Sequence, residues 1–176
     1  MFREMRRKRQ QLPEEECVAI LERGTSGVLA VLGDDGYPYA VPISYVYTNG
    51  KIYFHCAREG HKVDAIRTCE KVSFCVVDKD EVIPEKYTTL YRSVIAFGRA
   101  RIVEDEDEKL SSAEALGDKY YPNHPKELEA EISCGIDRML MVRIDIDHLT
   151  GKEAIELVKE MASQQRISRR KHGGEP

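Results

Sequence analysis

The sequence predicts a mainly β protein: six antiparallel strands closed into a barrel, with helices at its periphery. Two observations carry this expectation. Residues 37–48 alternate with the two-residue period of a pleated strand between the strand-like runs 27–32 and 51–56, and strand-like runs return at 71–78, 92–103 and 139–148. The early runs are joined by turn signals, Gly-Asp-Asp-Gly at 33–36 and Asn49-Gly50, short enough for hairpins. Closure follows because an open sheet of so many short strands would leave exposed edges.

The elements follow in order. Residues 13–23 predict a helix: Pro13 suits its first position, Glu14 to Glu16 complement the positive end of its dipole, and Gly24 ends it. Cys17, Ile20 and Leu21 form its apolar stripe. Residues 27–32, GVLAVL, are continuously apolar, as for a strand buried on both faces. Over 37–48 the alternation is clean. Tyr37, Tyr39, Val41, Ile43, Tyr45 and Tyr47 share one face; Pro38, Ala40, Pro42, Ser44, Val46 and Thr48 share the other. With KIYFHC returning at 51–56, these strands make a three-strand meander.

Gly60 introduces a short helix over 61–69, and strands return at 71–78 and 92–103. Residues 106–134 predict two helical pieces broken at Pro122-Asn123-His124-Pro125. In the last strand, 139–148, Leu140, Val142, Ile144 and Ile146 alternate with Arg143, Asp145 and Asp147. A helix over 151–161 closes the fold, and 164–176 is a basic, frayed tail. No repeat or linker divides residues 1–163, so one domain is expected.

Composition narrows the function. A chain of 176 residues can bury a core without disulfides, and no run approaches the roughly 20 apolar residues that span a bilayer. The basic opening MFREMRRKRQQ precedes no apolar stretch, so no secretory signal and a cytoplasmic location are expected. The five cysteines form no CxxC and suggest reduced thiols acting as apolar fillers. A net charge of −4 argues against a nucleic-acid binder.

Three stretches could carry chemistry. In FHCAREGHK, 54–62, His55 shares a strand face with Tyr53, while Gly60 turns the chain so that His61 and Lys62 open a helix. Free N–H groups, the dipole and the lysine there favour an anion such as a phosphomonoester; a glycine-capped loop with solvated charges is the plainer alternative. In Pro42-Ile43-Ser44-Tyr45, a mid-strand proline implies an edge or an interruption, and the small-residue face leaves room for a flat ligand; an ordinary edge strand reads the same. Tyr91 and Ser93 offer hydroxyls, and Arg92, Arg99 and Arg101 offer phosphate forks, although alternate arginines on a strand more often face water. His55, Cys56, His61 and Cys69 lack the tight spacing of zinc ligands, so no metal is expected. Neither GxGxxG nor GxxxxGK[ST] occurs.

The order of these motifs is informative. MRRKRQQL at 5–12, a helix, then RGTSGVLAVLGDDGYPYAVPISYVYTNGKIYFHCAREGHKVDAI at 23–66, and a later S-V-x-x-x-G-x-A strand, resemble the NimA-like (nitroimidazole resistance) branch of the pyridoxamine phosphate oxidase-related FMN-binding split-barrel superfamily. The resemblance covers residues 5–103 well and the last strand loosely. It implies a homodimer with FMN in clefts built by both subunits. His55, His61 and Lys62 would hold the phosphate and ribityl end. Pro42, Ile43, Ser44 and Tyr45 would line the ring, largely through backbone atoms. Tyr91 and Ser93 would complete the cleft, and Arg6 and Arg7 would close over a partner's site. It further implies a flavin-dependent reductase of small electrophiles such as nitroaromatic compounds, drawing electrons from NAD(P)H, with His61 as the residue to test for proton donation. Haem or a deazaflavin in place of FMN, and a flavin- or haem-binding module without turnover, are the alternatives within the superfamily. The arginine and lysine set of a true pyridoxamine phosphate oxidase, near a C-terminal R-x-R-L type motif, is missing.

Overall fold

In the computed structural model, residues 1–161 and 163 are described. Local chemistry places the helices where expected: α1 at Glu14–Arg23, α2 at His61–Thr68, α3 at Glu106–Tyr120 and α4 at Pro125–Gly135, with residues 155–161 also helical. Asp105 caps α3 by accepting the Glu108 N–H at 2.8 Å, and Pro125 opens α4.

The strands are seven, not six: β1 (Ser26–Leu32), β2 (Pro38–Ser44), β3 (Val46–Thr48), β4 (Lys51–Ala57), β5 (Lys71–Ile83), β6 (Thr88–Ile102) and β7 (Met139–Glu153). The extra one arises because the expected strand over 37–48 divides at Tyr45. This side chain is fully buried, lies edge-on to Phe74 with ring centres 5.0 Å apart, and donates its hydroxyl to the Leu21 carbonyl at 2.8 Å. Anchored in this way, it turns the chain out of one ladder and into another.

The sheet runs β2-β1-β5-β6-β7-β4-β3. Its two ends are therefore consecutive in sequence and meet at Tyr45, so the sheet curls into a barrel split at that residue. The three-strand meander does not form. β2 hairpins with β1 and β3 with β4 through Asn49-Gly50, both at positive φ, but the other neighbour of β4 is β7.

Three further boundaries move. β5 and β6 run on past 78 and begin before 92 as a long paired arm, with a bulge between Val77 and Lys79. β7 continues to Glu153, so the closing helix starts after Gly151 rather than at it. The reason is the N-terminal segment: Gln11 bridges Lys152, and the Leu12 N–H donates to the Gly151 carbonyl at 3.0 Å, holding those residues extended. Finally, β1 is not buried on both faces. Leu29 and Val31 point into the core, whereas Val28 and Leu32 are 38% and 50% exposed.

Two apolar clusters result. The barrel interior gathers Leu29, Phe54, Phe74, Val94 and Ile144 with Ile20 and Leu21 of α1. A second cluster joins Val46, Tyr53 and Met141 of the sheet to Ala113 and Leu116 of α3 and Ile132 of α4. Full burial of each large side chain contributes about 1.5–3 kcal/mol. Ion pairs fasten the helices: Arg23 of α1 bridges Glu16 and Asp78, and Arg143 of β7 clasps Glu108 of α3 with both its oxygens at 2.8–2.9 Å. Burial alone would raise the Glu108 carboxyl, but hydrogen bonds from Arg143 and Tyr53 outweigh it and hold it below the ordinary value.

Candidate functional site

The small-residue face of β2 points outward. Because β2 ends the sheet, Pro42 sits in an edge strand, where a missing N–H is tolerated. Cross-strand register extends this face into two rows, Pro42–Val28–Cys75–Ile95–Thr150 and Ala40–Ala30–Ser73–Phe97–His148. Every residue in them is exposed or half-buried, although most are apolar or small. At one end, Phe2 of the same chain stacks on His148 at 4.6 Å and lies 5.5 Å from Phe97. Arg6 and Arg7 are exposed nearby in sequence, Arg7 donating to Gln10 at 3.4 Å.

The start of α2 lies beside the β1–β2 turn. Gly60 has φ 125°, a conformation that favours glycine, and its carbonyl accepts the N–H groups of Val63 and Asp64. The N–H groups of His61 and Lys62 precede the helical bonds, as in any first turn. The His61 ring stacks on Tyr39 of β2, centres 4.3 Å apart, with Nε2 3.7 Å from an Asp34 carboxylate oxygen. Lys62 is half-buried and forms no ion pair among the described residues. Burial raises the Cys56 thiol of β4, and the Lys62 charge partly opposes that rise, so the ammonium lies near the end of β4.

His55, also on β4, opens elsewhere. With Ser44 it borders a cavity of about 390 Å³ between the sheet and α3 and α4, walled by Leu116, Leu128, Ile132, Met139 and Met141. Tyr120, the last residue of α3, stands at the same cavity and bridges the barrel's split. Its hydroxyl accepts the Tyr45 N–H at 3.0 Å and lies against the Tyr45 and Thr25 carbonyls. The adjacent Lys119 donates to the Gly24 carbonyl with its ammonium 4.3 Å from the centre of the Tyr45 ring, and burial lowers its pKa.

The sequence-derived residues thus fall into groups. Ser44 and His55 share the cavity. His61 adjoins β2 through Tyr39, and Lys62 follows it in the first turn of α2. Pro42 faces outward, whereas the side chains of Ile43 and Tyr45 are buried, and the Tyr45 N–H is already engaged by Tyr120. Tyr91 accepts from the Gln10 amide at 3.2 Å, and Ser93 pairs across the outer face with Val77 and Lys152. The three arginines offered as phosphate forks are held by carboxylates. Arg92 meets Glu153, Asp78 and Glu16, while Arg99 and Arg101 both meet Glu70, whose carboxyl their hydrogen bonds hold below its ordinary value. Tyr120 and the cavity walls escaped sequence reasoning. The two helices were expected from 106–134, but not the sheet face that Tyr120, Leu116, Leu128 and Ile132 cover.

The sequence profile for pyridoxamine 5'-phosphate oxidase matches residues 13–153. The chain belongs to that family. Its fold recurs in solved structures of the same architecture. One is a candidate 5-nitroimidazole antibiotic resistance protein from Bacteroides thetaiotaomicron, 17% identical, TM-score 0.70, covering 81% of this chain and 86% of that one. A second is a FAD-binding protein from Mesorhizobium loti, 25% identical, TM-score 0.60, covering 82% and 97%. A third is an FAD- and haem-binding protein from Mycobacterium smegmatis, 22% identical, TM-score 0.72, covering 82% and 73%. Comparison with curated protein sequences returns no match. Among the described residues no helix is long and apolar enough to cross a membrane.

Proposed function

We propose that this family member is an FMN-binding flavoprotein that works as a homodimer and reduces small electrophiles, nitroaromatic compounds among them, with NAD(P)H as electron donor. The observation that carries the reading is a contrast among its cations. Arg92, Arg99 and Arg101 are neutralised by carboxylates, whereas Lys62, at the mouth of α2 and beside the end of β4, has no such partner among the described residues. A phosphate fits there, between the ammonium and the first-turn N–H groups. A flat ring system fits the outward strip Ala40–Pro42–Ser44, which carries no side chain larger than proline.

Bound flavin would supply hydride or electron transfer. This chain's own residues would then do the positioning. Lys62 binds the phosphate. Tyr39 holds the His61 ring by stacking, with Nε2 3.7 Å from an Asp34 carboxylate oxygen, and His61 is the side chain to test for proton donation. Ser44 and His55 border the compartment next to the strip. The apolar rows on the outer face of β1, β2, β5 and β6 support the homodimer, since an exposed patch of this kind marks an interaction surface.

A second reading, flavin or haem binding without turnover, is favoured by His55 opening into an apolar cavity near two methionines. Two measurements separate these readings, a spectrum and an assay of NAD(P)H oxidation with nitroaromatic acceptors. The absorbance spectrum of the purified protein is recorded, FMN is added, and excess is removed by desalting. Flavin bands should remain, and Lys62→Ala should weaken FMN binding about tenfold to a hundredfold, as for loss of one charge-assisted contact. A colourless protein that retains no FMN overturns the flavin reading; a haem spectrum, or flavin retained with no NAD(P)H oxidation by any nitroaromatic, supports the second.

A further inference from the structure

We infer that the cavity between α3, α4 and the sheet is a selective compartment for an uncharged, flat, largely apolar small molecule of one or two rings, and that it excludes carboxylates and phosphate esters. Calling this guest a substrate rests on the flavin reading above; its binding does not.

Three observations combine. At about 390 Å³ the cavity is within the range of small-molecule sites, and its walls are aliphatic and thioether groups from α3, α4 and β7. The polar groups at its border are few. Ser44 and His55 are exposed to it and make no side-chain hydrogen bond among the described residues, so both remain available to orient a guest. Tyr120, in contrast, is committed to the backbone at the barrel's split.

Charge decides the class of guest. The one carboxylate at the border is Glu131, and neither lysine nor arginine lines the cavity among the described residues. An anion entering would lose its hydration with no fixed cation to replace it, and Glu131 would repel it. A neutral ring loses little hydration and gains the apolar walls. The anion-accepting groups, Lys62 and the start of α2, are not among the lining residues. Ser44 joins the two environments, being both the last residue of the outward β2 strip and part of the cavity wall. The chain thus separates a compartment suited to a charged cofactor end from one suited to an uncharged guest.

The test uses two nitroarenes that differ at one para substituent, an uncharged methyl group against a carboxylate. 4-Nitrotoluene and 4-nitrobenzoate are titrated into the full chain, with and without FMN, and binding is followed by saturation-transfer NMR of the ligands. The neutral probe should bind at least about tenfold more tightly than the anion. Met139→Trp, which fills the half-buried wall, should abolish binding of the neutral probe, and His55→Ala should weaken it about fivefold. Glu131 is exposed, so Glu131→Lys should fold normally and improve 4-nitrobenzoate binding by about tenfold. Equal or tighter binding of the anion to the unmodified chain, or binding indifferent to both Met139→Trp and Glu131→Lys, overturns the inference. Retained FMN without probe discrimination defeats the cavity inference alone; discrimination without retained FMN defeats the flavin reading alone.

Discussion

Val28 and Leu29 are neighbours on β1 and similarly apolar, yet Leu29 is wholly buried and Val28 is 38% exposed. The same split holds across the sheet. On the inner face, Leu29 packs with Phe74, Val94 and Ile144; on the outer face, Val28, Cys75 and Ile95 form a row that stays exposed or half-buried among the described residues, with Phe2 and its flanking residues laid over one end. The inner face is completed by the chain itself. The outer one is built of the same residue types without being completed by the described residues, which is the feature behind the homodimer proposal.

The largest effect that would sharpen this contrast is on the inner face. Phe74→Ala should cost about 3–5 kcal/mol in denaturant unfolding, as for a large buried ring removed from a packed core. An effect below about 1 kcal/mol would show that the inner face is no better packed than the outer.

Next comes the corner where α1 meets the bulged part of β5. Hydrogen bonding from Arg23, aided by Arg92, holds the Asp78 carboxyl below its ordinary value. Because the folded-state pKa is the lower one, the associated stability is present above the ordinary aspartate pKa and is lost as pH falls from about 4 through the folded value. Asp78→Asn should therefore reduce stability at neutral pH by about 1–2 kcal/mol and flatten the acid limb of the stability curve. An unchanged acid limb would remove Asp78 from the account.

The smallest effect on stability is the most telling for the outer face. Val28→Asp should change the stability of the fold by no more than about 0.5 kcal/mol, yet convert the proposed dimer to a monomer in analytical ultracentrifugation. A wild-type chain that sediments as a monomer breaks the homodimer reading outright. A Val28→Asp chain destabilised as severely as Phe74→Ala erases the difference between the two faces.

Some of this was readable in the sequence because its cause is local. Pro13, the glutamates and Gly24 bound α1; Pro122 to Pro125 split α3 from α4; Asn49-Gly50 turns β3 into β4. What escaped depends on residues far apart. Tyr45 fits the alternation of a continuous strand, and only its hydroxyl reaching Leu21 and its backbone reaching Tyr120 break that strand in two. The apolar run in β1 suggested burial on both faces because residue type cannot say which face is already covered. The same limit applies to the candidate site. Lys62 after Gly60 was visible as a motif, and Ser44 and His55 lay in two of the stretches singled out for chemistry. That Ser44 and His55 share a cavity, and that Tyr120 stands beside them, follows from α3 crossing the sheet.

The pairing of β4 with β7 also governs how the molecule comes into being. His55 finds its ladder partner only at Met141. On a ribosome adding about 5–20 residues each second, residues 51–57 therefore spend roughly 4 to 17 seconds with β3 as their sole strand partner. During that interval Phe54 and Cys56 have no barrel to enter, and a newborn chain shows the cell an apolar edge that the finished protein conceals.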